Sequence, residues 1–376
     1  MRELIDGSTA IVRGALDAGC NFFAGYPITP ASPILSAMLR ELPRRGGVAI
    51  QAEDEIASIG MCIGATLAGS RAMTATSGPG LSLYSENLGL AIMGEVPLVV
   101  VDIQRLGPAT GGATTVGQGD AQFARWGTAG GWPVIVLAPS SLVGCYTSTR
   151  RAFDLAERFR CPVLLLGDKE LGLTSGTIEP EELDAVPVRE RAVAPGPAGA
   201  GLPAPRPYRF EPAASVPPMV HYGGEAVVRF TGSTHDEHAF ITKNPATVAR
   251  LNEHLRAKIE DHAGEIELCE RDLEPGARTL VVSWGVTAGA VREAVRSVRA
   301  AGRRVSSLVL ESLWPFPDRA LAEAVGDVER VVVAELNQGQ LRREVERVVP
   351  RGVAVVGLHR VDGRLITPSE VEERVR

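Results

Sequence analysis

PLVVVDIQRLGPATGG, residues 97–112, joins an unbroken apolar run to a loop rich in glycine. A strand with one wet face alternates apolar and polar residues, whereas LVVVDIQ (98–104) stays apolar until Asp102. Such a run belongs to a parallel sheet covered by helices on both faces. The pattern recurs on either side. NFFAG (21–25) leads to a helix from Pro30, VAIQ (48–51) to a helix from about Asp54, and MTAT (73–76) to a helix from about Leu81. VIVLA (134–138) leads to a helix from Ser141, and VLLLG (163–167) ends the series. The alternation predicts a doubly wound α/β domain. Sheets of this kind bind ligands outside the carboxyl ends of their strands. Four loops are therefore candidates: Gly25–Ser32, Gln51–Glu55, Thr76–Gly80 and Gln104–Gly112.

The remaining chain divides by composition. At 376 residues two domains are expected. Residues 1–175 make the first, beginning with MRELIDGSTAIVRGALDAG, which reads as an amphipathic helix and not a signal peptide. Residues 176–268 form a Pro/Gly-rich connector, including APGPAGAGLPAPRP, and a mixed segment with a charged helix from about Ala246 to Ile259. Residues 269–376 hold a smaller α/β domain, in which TLVVSW, VSSLVLES, VERVVVAEL and VAVVGL alternate with helices. A net charge of −6 without a block of like charges argues against nucleic acid or an anionic membrane as partner. No apolar run reaches the length of a membrane span. Cys20, Cys62, Cys145, Cys161 and Cys269 are scattered without a CxxC, which fits buried free thiols in a reducing cytoplasm. The same spacing excludes a cysteine-ligated iron–sulfur cluster built by this chain alone.

In GYPITPAS (25–32), Thr29 suits the N-cap of a helix and Pro30 its first position. A helix N-terminus also offers free N–H groups to a carboxylate or phosphate. AEDEIASIGMCIGATLAGS (52–70) places three acids before a helix lined with small residues. The helix dipole accounts for Glu53 and Asp54, whereas Glu55 is a candidate for proton sharing at a close-packed interface. TSGPG (76–80) is a loop through which a flat ligand could approach the backbone. Arg105 follows a strand directly and can meet a carboxylate with both prongs of its guanidinium, or pair with an acid such as Asp102. His235 and His238 in THDEH stand three apart, but a polar surface turn explains the same letters and no metal is expected. SWGVTAGAV (283–291) lacks GxGxxG and is no dinucleotide site.

GYPITPAS, AEDEIASIGMCIGA, MTATSGPG and PLVVVDIQRLGPATG occur in an order and spacing that resemble the α subunit of 2-oxoacid:ferredoxin oxidoreductases, most closely the 2-oxoglutarate type. THDEHAFITKN, SWGVTAGAV, LWPFP and VVVAELNQGQ extend the resemblance into the second domain. It implies a doubly wound thiamine-diphosphate pyrimidine-type domain followed by a transketolase C-terminal-like domain. It implies that Glu55 meets N1′ of the aminopyrimidine, where a shared proton lets the cofactor's own exocyclic nitrogen take the thiazolium C2 proton. Tyr26, Pro27, Ile28, Ser77, Gly78 and Pro79 would line the cofactor, and Thr29 and Arg105 would bind the substrate. The implied reaction is oxidative decarboxylation of 2-oxoglutarate to succinyl-CoA, with coenzyme A as acceptor and electrons passing to ferredoxin. QRLGPATG favours that substrate, but ATTVGQGDAQFARWG departs from the usual following segment. A branched-chain type acting on 2-oxoisovalerate and a non-catalytic partner-binding paralogue therefore stand as alternatives. No Gly-Asp-Gly motif for Mg2+ and diphosphate occurs, so a β subunit is expected to bring Mg2+, a [4Fe–4S] cluster and the diphosphate site, in an (αβ)2 heterotetramer.

Overall fold

Leu98–Gln104 and Pro162–Asp168 are strands of seven residues each, buried along their whole length. No side chain on either reaches water, so both stand at the centre of a sheet with helices on its two faces. The computed structural model describes residues 2–183, 186–194, 206–224 and 226–376; most of APGPAGAGLPAPRP lies outside them. The strands are β1 (Glu3–Asp6), β2 (Phe22–Gly25), β3 (Val48–Gln51), β4 (Ala72–Thr76), β5 (Leu98–Gln104), β6 (Ile135–Leu137) and β7 (Pro162–Asp168). They continue with β8 (Ser175–Ile178), β9 (Cys269–Asp272), β10 (Thr279–Trp284), β11 (Ser306–Leu310), β12 (Ser312–Trp314), β13 (Arg330–Glu335) and β14 (Ala354–His359).

The first sheet runs β12-β6-β7-β5-β4-β2-β3, parallel except for β12 at its edge. From β2 the chain moves outward to β3, then crosses back to β4 on the other side. The order therefore reverses between β2 and β4, where open α/β sheets hold their ligands. Pairing there covers only Phe22↔Ala72 and Phe23↔Met73, so the two strands part toward their carboxyl ends. The second sheet, β14-β13-β10-β11-β9, is parallel apart from edge strand β9.

One apolar core spans both sheets, from Val136 and Leu164 through Trp314 to Leu280, Trp284 and Leu308. Polar side chains sew the same boundary. Gln118 Nε2 donates to the Trp284 carbonyl at 3.1 Å, and Gln118 Oε1 accepts the Leu336 N–H at 2.9 Å. Asp168 Oδ2 accepts the Val286 N–H at 2.5 Å, and burial pushes this carboxyl up to about 7. Gly285 of SWGVTAGAV thus lies against Asp168 and Gln118 at the junction of the sheets.

Three local expectations are corrected. Residues 3–6 form β1 and not the start of a helix, because they pair antiparallel with β8 far along the chain. The helix follows at Gly7–Asp17, capped by Asp6, whose Oδ1 accepts the Thr9 N–H at 2.7 Å. The connector accordingly opens with a strand, β8, since β1 supplies it with backbone partners. The third concerns Thr29 and is described with the site.

The mixed segment is anchored by charge. Its helix Pro245–Glu260 sends Lys258 and His254 into the first domain, where Nζ and Nε2 donate to Glu95 Oε2 at 2.7 and 2.9 Å. Arg160 is buried beside them and donates through Nη1 to the Pro207 and Pro217 carbonyls. Although burial works against it, the field of Lys258, Arg160 and His254 holds Glu95 well below the usual carboxylate range. Its stabilisation is therefore present above the ordinary Glu range and lost only as acid titrates the folded state. Glu95→Ala leaves buried cations without a counter-charge and is expected to cost about 3–5 kcal/mol. Denaturant unfolding measures it; a wild-type midpoint would show that the cluster does not hold the segment.

Candidate active site

All four loops meet at the parting of β2 and β4, and each is tied to a neighbour. Leaving β2, Tyr26 and Thr29 are exposed, and the chain turns at Pro30, with the Ser32 N–H donating to the Ile28 carbonyl at 2.9 Å. The helix is Ser32–Glu41, with Ala31 at its N-cap and no side-chain cap. Thr29 is thus not an N-cap. TPASP offers two prolines for a first turn, and the fold uses Pro33, whose missing N–H costs nothing there. Thr29 instead turns its carbonyl to Arg105, whose Nη1 donates to it at 2.5 Å.

After β3, Asp54 caps the helix Glu55–Leu67 by accepting the Ala57 N–H at 2.7 Å, and Glu53 faces solvent. Glu55 alone of the three acids turns inward, at 6% exposure. Its neighbour is Gly80: a Cβ there would stand 1.9 Å from Thr76 Oγ1 and 2.8 Å from Glu55 Oε1. Only glycine lets the TSGPG turn close over both side chains. Among the described residues the buried Glu55 carboxylate has neither a hydrogen-bond donor nor an ion-pair partner, and Thr76 Oγ1 and Ser77 Oγ are buried without partners. A buried polar atom without a partner awaits one from elsewhere. Beneath the helix, the Tyr84 hydroxyl bridges Thr74 Oγ1 at 2.7 Å and Ser58 Oγ at 3.1 Å.

Gly78 follows β4 with φ +38°, a conformation open to glycine, and its N–H donates to Asp102 Oδ1 at 2.9 Å. Arg105 leaves β5 at 5% exposure and passes under Gly78. No carboxylate among the described residues lies within ion-pair distance of it, Asp102 included, and its Nε is buried without a partner. Three contacts thus bind the loops together: Thr29 to Arg105, Gly78 to Asp102, and Glu55 to Gly80. Asp102 was missed as a supporting residue; its signal was an acid in an otherwise apolar strand. The geometry suits a flat polar ligand held against Glu55 and the Thr76–Pro79 turn, with a carboxylate near Arg105. Around this site the helix Glu55–Leu67 turns Ile56, Gly60, Met61 and Gly64 outward, with Ile56 at 51% and Met61 at 39% exposure.

The His235–His238 turn lies elsewhere. Asp236 Oδ1 accepts the His238 and Phe240 N–H groups, as a polar turn requires, but His235 is buried edge-on to Tyr208 and not on the surface. His235 Nδ1 lies 2.9 Å from the Ser233 carbonyl. No helix among the described residues is long and apolar enough to cross a membrane.

Comparison with known proteins follows the same division. Residues 13–253 match the family described as pyruvate flavodoxin/ferredoxin oxidoreductase, thiamine diphosphate-binding. Residues 277–371 match pyruvate:ferredoxin oxidoreductase core domain II. The chain is 40% identical to 2-oxoglutarate synthase subunit KorA of Methanocaldococcus jannaschii, covering 99% of each. It is 32% identical to ketoisovalerate oxidoreductase subunit VorB of Methanothermobacter thermautotrophicus, over 100% of this chain and 97% of that one. A solved 2-oxoglutarate:ferredoxin oxidoreductase from Magnetococcus marinus, with 2-oxoglutarate, coenzyme A and succinyl-CoA bound, superposes with a TM-score of 0.89 at 32% identity. The superposition covers 100% of this chain, which spans 64% of the solved one.

Proposed function

The chain belongs to the pyruvate flavodoxin/ferredoxin oxidoreductase family, and we propose that it is the α subunit of an enzyme that oxidatively decarboxylates 2-oxoglutarate to succinyl-CoA. The observation that carries the reading is the convergence of Glu55 beside Gly80 and Arg105 beside Gly78, neither with an ion-pair partner among the described residues. The greater identity to the 2-oxoglutarate synthase subunit than to the ketoisovalerate one supports the substrate.

Thiamine diphosphate, when bound, supplies the electron sink for loss of CO2. The residues present fit its pyrimidine end: Glu55 offers a carboxyl to ring nitrogen N1′, and Thr76 Oγ1 and Ser77 Oγ in the adjoining turn are buried polar atoms without partners. Ser77, Gly78 and Pro79 form the turn facing it, with Tyr26, Pro27 and Ile28 opposite. Glu55 holds and returns a proton at N1′, which a side chain sequestered from bulk water can share at neutral pH. Arg105 keeps one prong on the Thr29 carbonyl and presents the rest of its fork to the substrate carboxylate. Thr29 positions that fork and flanks the reacting carbon.

The same reading divides the chain near residues 175 and 268. It assigns Mg2+, the diphosphate and a [4Fe–4S] cluster to a β subunit, ferredoxin to the electron-acceptor role, and an (αβ)2 arrangement in the cytoplasm. The exposed Ile56–Gly64 face beside the site supports a second subunit there, and five free cysteines support the compartment.

Turnover of 2-oxoglutarate against 2-oxoisovalerate by the assembled complex tests the substrate; the former is expected to give the higher kcat/KM, and a preference for the branched acid would overturn the choice. Glu55→Gln keeps the volume but cannot exchange a proton, and is expected to lower kcat by about 10²- to 10⁴-fold in a normally assembled complex. Wild-type turnover would move the role elsewhere. Arg105→Lys is expected to lower kcat/KM for the 2-oxo acid by at least about tenfold, since an ammonium cannot reproduce the fork. Unaltered kinetics in that variant would remove Arg105 from the site.

A further inference from the structure

The carboxyl end of β10 meets the first sheet, where the Trp284 carbonyl accepts Gln118 Nε2. Its amino end, at Thr279, faces the other way: six residues rising about 3.3 Å each put roughly 16 Å between the two ends. Three parallel neighbours start together there, with Thr279 of β10 opposite Arg330 of β13 and Leu280 opposite Ser306 of β11. An arginine stands at or just before each start: Arg278, Arg330, and the pair Arg303 and Arg304. With Arg376 they line a cleft of about 440 Å³. Among the described residues its wall holds one acid, Glu329, which pairs with Arg278. Arg303, Arg304 and Arg330 have no ion-pair partner among the described residues, and Arg376 reaches Glu372 at 3.7 Å.

Two of these guanidinium groups are fixed in place. Arg303 Nη2 donates to the Val375 and Arg376 carbonyls at 3.2 and 2.9 Å, at the end of the helix Pro368–Val375. Arg304 Nη1 donates to the Pro275 carbonyl at 3.2 Å and lies over Gly276, whose φ is +75°. A Cβ at Gly276 would stand 2.6 Å from that nitrogen, so glycine keeps the guanidinium's place open. Backbone carbonyls thus hold both side chains without neutralising them. Five arginines against one acid in a single concavity repel one another, and in a chain of net charge −6 this excess is local. An anion relieves the repulsion and meets donors that are already ordered.

We propose that this cleft binds a pyrophosphate unit, free or as the phosphate end of a nucleoside diphosphate. Guanidinium forks match the paired oxygens of phosphate groups, and two linked phosphates carry enough charge to answer several forks at once. A small, densely charged anion fits the concavity, whereas the acidic face of a protein spreads its carboxylates over a broad area. Among the described residues the wall has no aromatic side chain to stack on a base, so the phosphates alone are recognised. Neither Glu55 nor Arg105 takes part in this cleft.

The test is isothermal titration calorimetry of the full chain with inorganic pyrophosphate. Saturable, submillimolar binding is expected at low ionic strength, weakening as salt is added because the charges are exposed. The double variant Arg303→Gln, Arg304→Gln removes both fixed forks and is expected to lower the affinity by at least about tenfold. Gly276→Ala removes no charge but displaces Arg304, and is expected to weaken binding as well; it serves if the double variant does not fold. ADP is expected to match pyrophosphate, and adenosine, which lacks the phosphates, is expected not to bind. The absence of saturable pyrophosphate binding overturns the proposal. So does full affinity in the arginine variant, or adenosine binding as tightly as ADP.

Discussion

A guanidinium and a carboxyl group stand at the end of a strand from which water is otherwise excluded. The apolar part of β5 explains the burial, and burial makes each polar group at its end costly unless something answers it. Asp102 is answered by the Gly78 N–H, and Arg105 in part by the Thr29 carbonyl. These answers come from two separate loops. Satisfying the end of one strand therefore gathers the carboxyl edge of the sheet into a site. The Arg105 Nε and the hydroxyl oxygens of Thr76 and Ser77 stay unanswered at the same edge.

The second sheet contributes support at a distance. Its junction with the first is polar as well as apolar: Gln118, Asp168 and Asn337 make hydrogen bonds across it inside a continuous core. Glu335 accepts the Leu341 and Arg342 N–H groups at the start of the last-but-one helix, fixing that helix against the loop before Gln122. The loop that begins at Arg105 thus ends on a rigid seam. Arg105, at one end of that loop, is held by packing at the other.

Glu55 shows the opposite economy. Its carboxylate is enclosed by Gly80 and Thr76 yet receives no donor, while the adjacent helix face lies open with Ile56 and Met61 exposed. A buried carboxylate without a donor remains costly until one arrives, and among the described residues the fold gives Glu55 none.

Unbroken apolar runs identified the buried parallel strands directly, because a strand covered on both faces has no polar position to spare. Glycine and proline in the loops, and acids before the helix Glu55–Leu67, likewise marked the carboxyl edge, since backbone freedom and first-turn charge are local effects. Other features were illegible because they depend on partners distant in sequence. β1 and β8 are strands only as each other's neighbours, and Thr29 lost its expected cap when the turn was set by the second proline and by Arg105. Which of three successive acids turned inward was decided by the space at Gly80. That Asp102 takes the Gly78 N–H and makes no ion pair with Arg105 was likewise a matter of packing. A sequence records what each residue prefers, and only the folded chain decides which preferences are met when charges share one dry pocket.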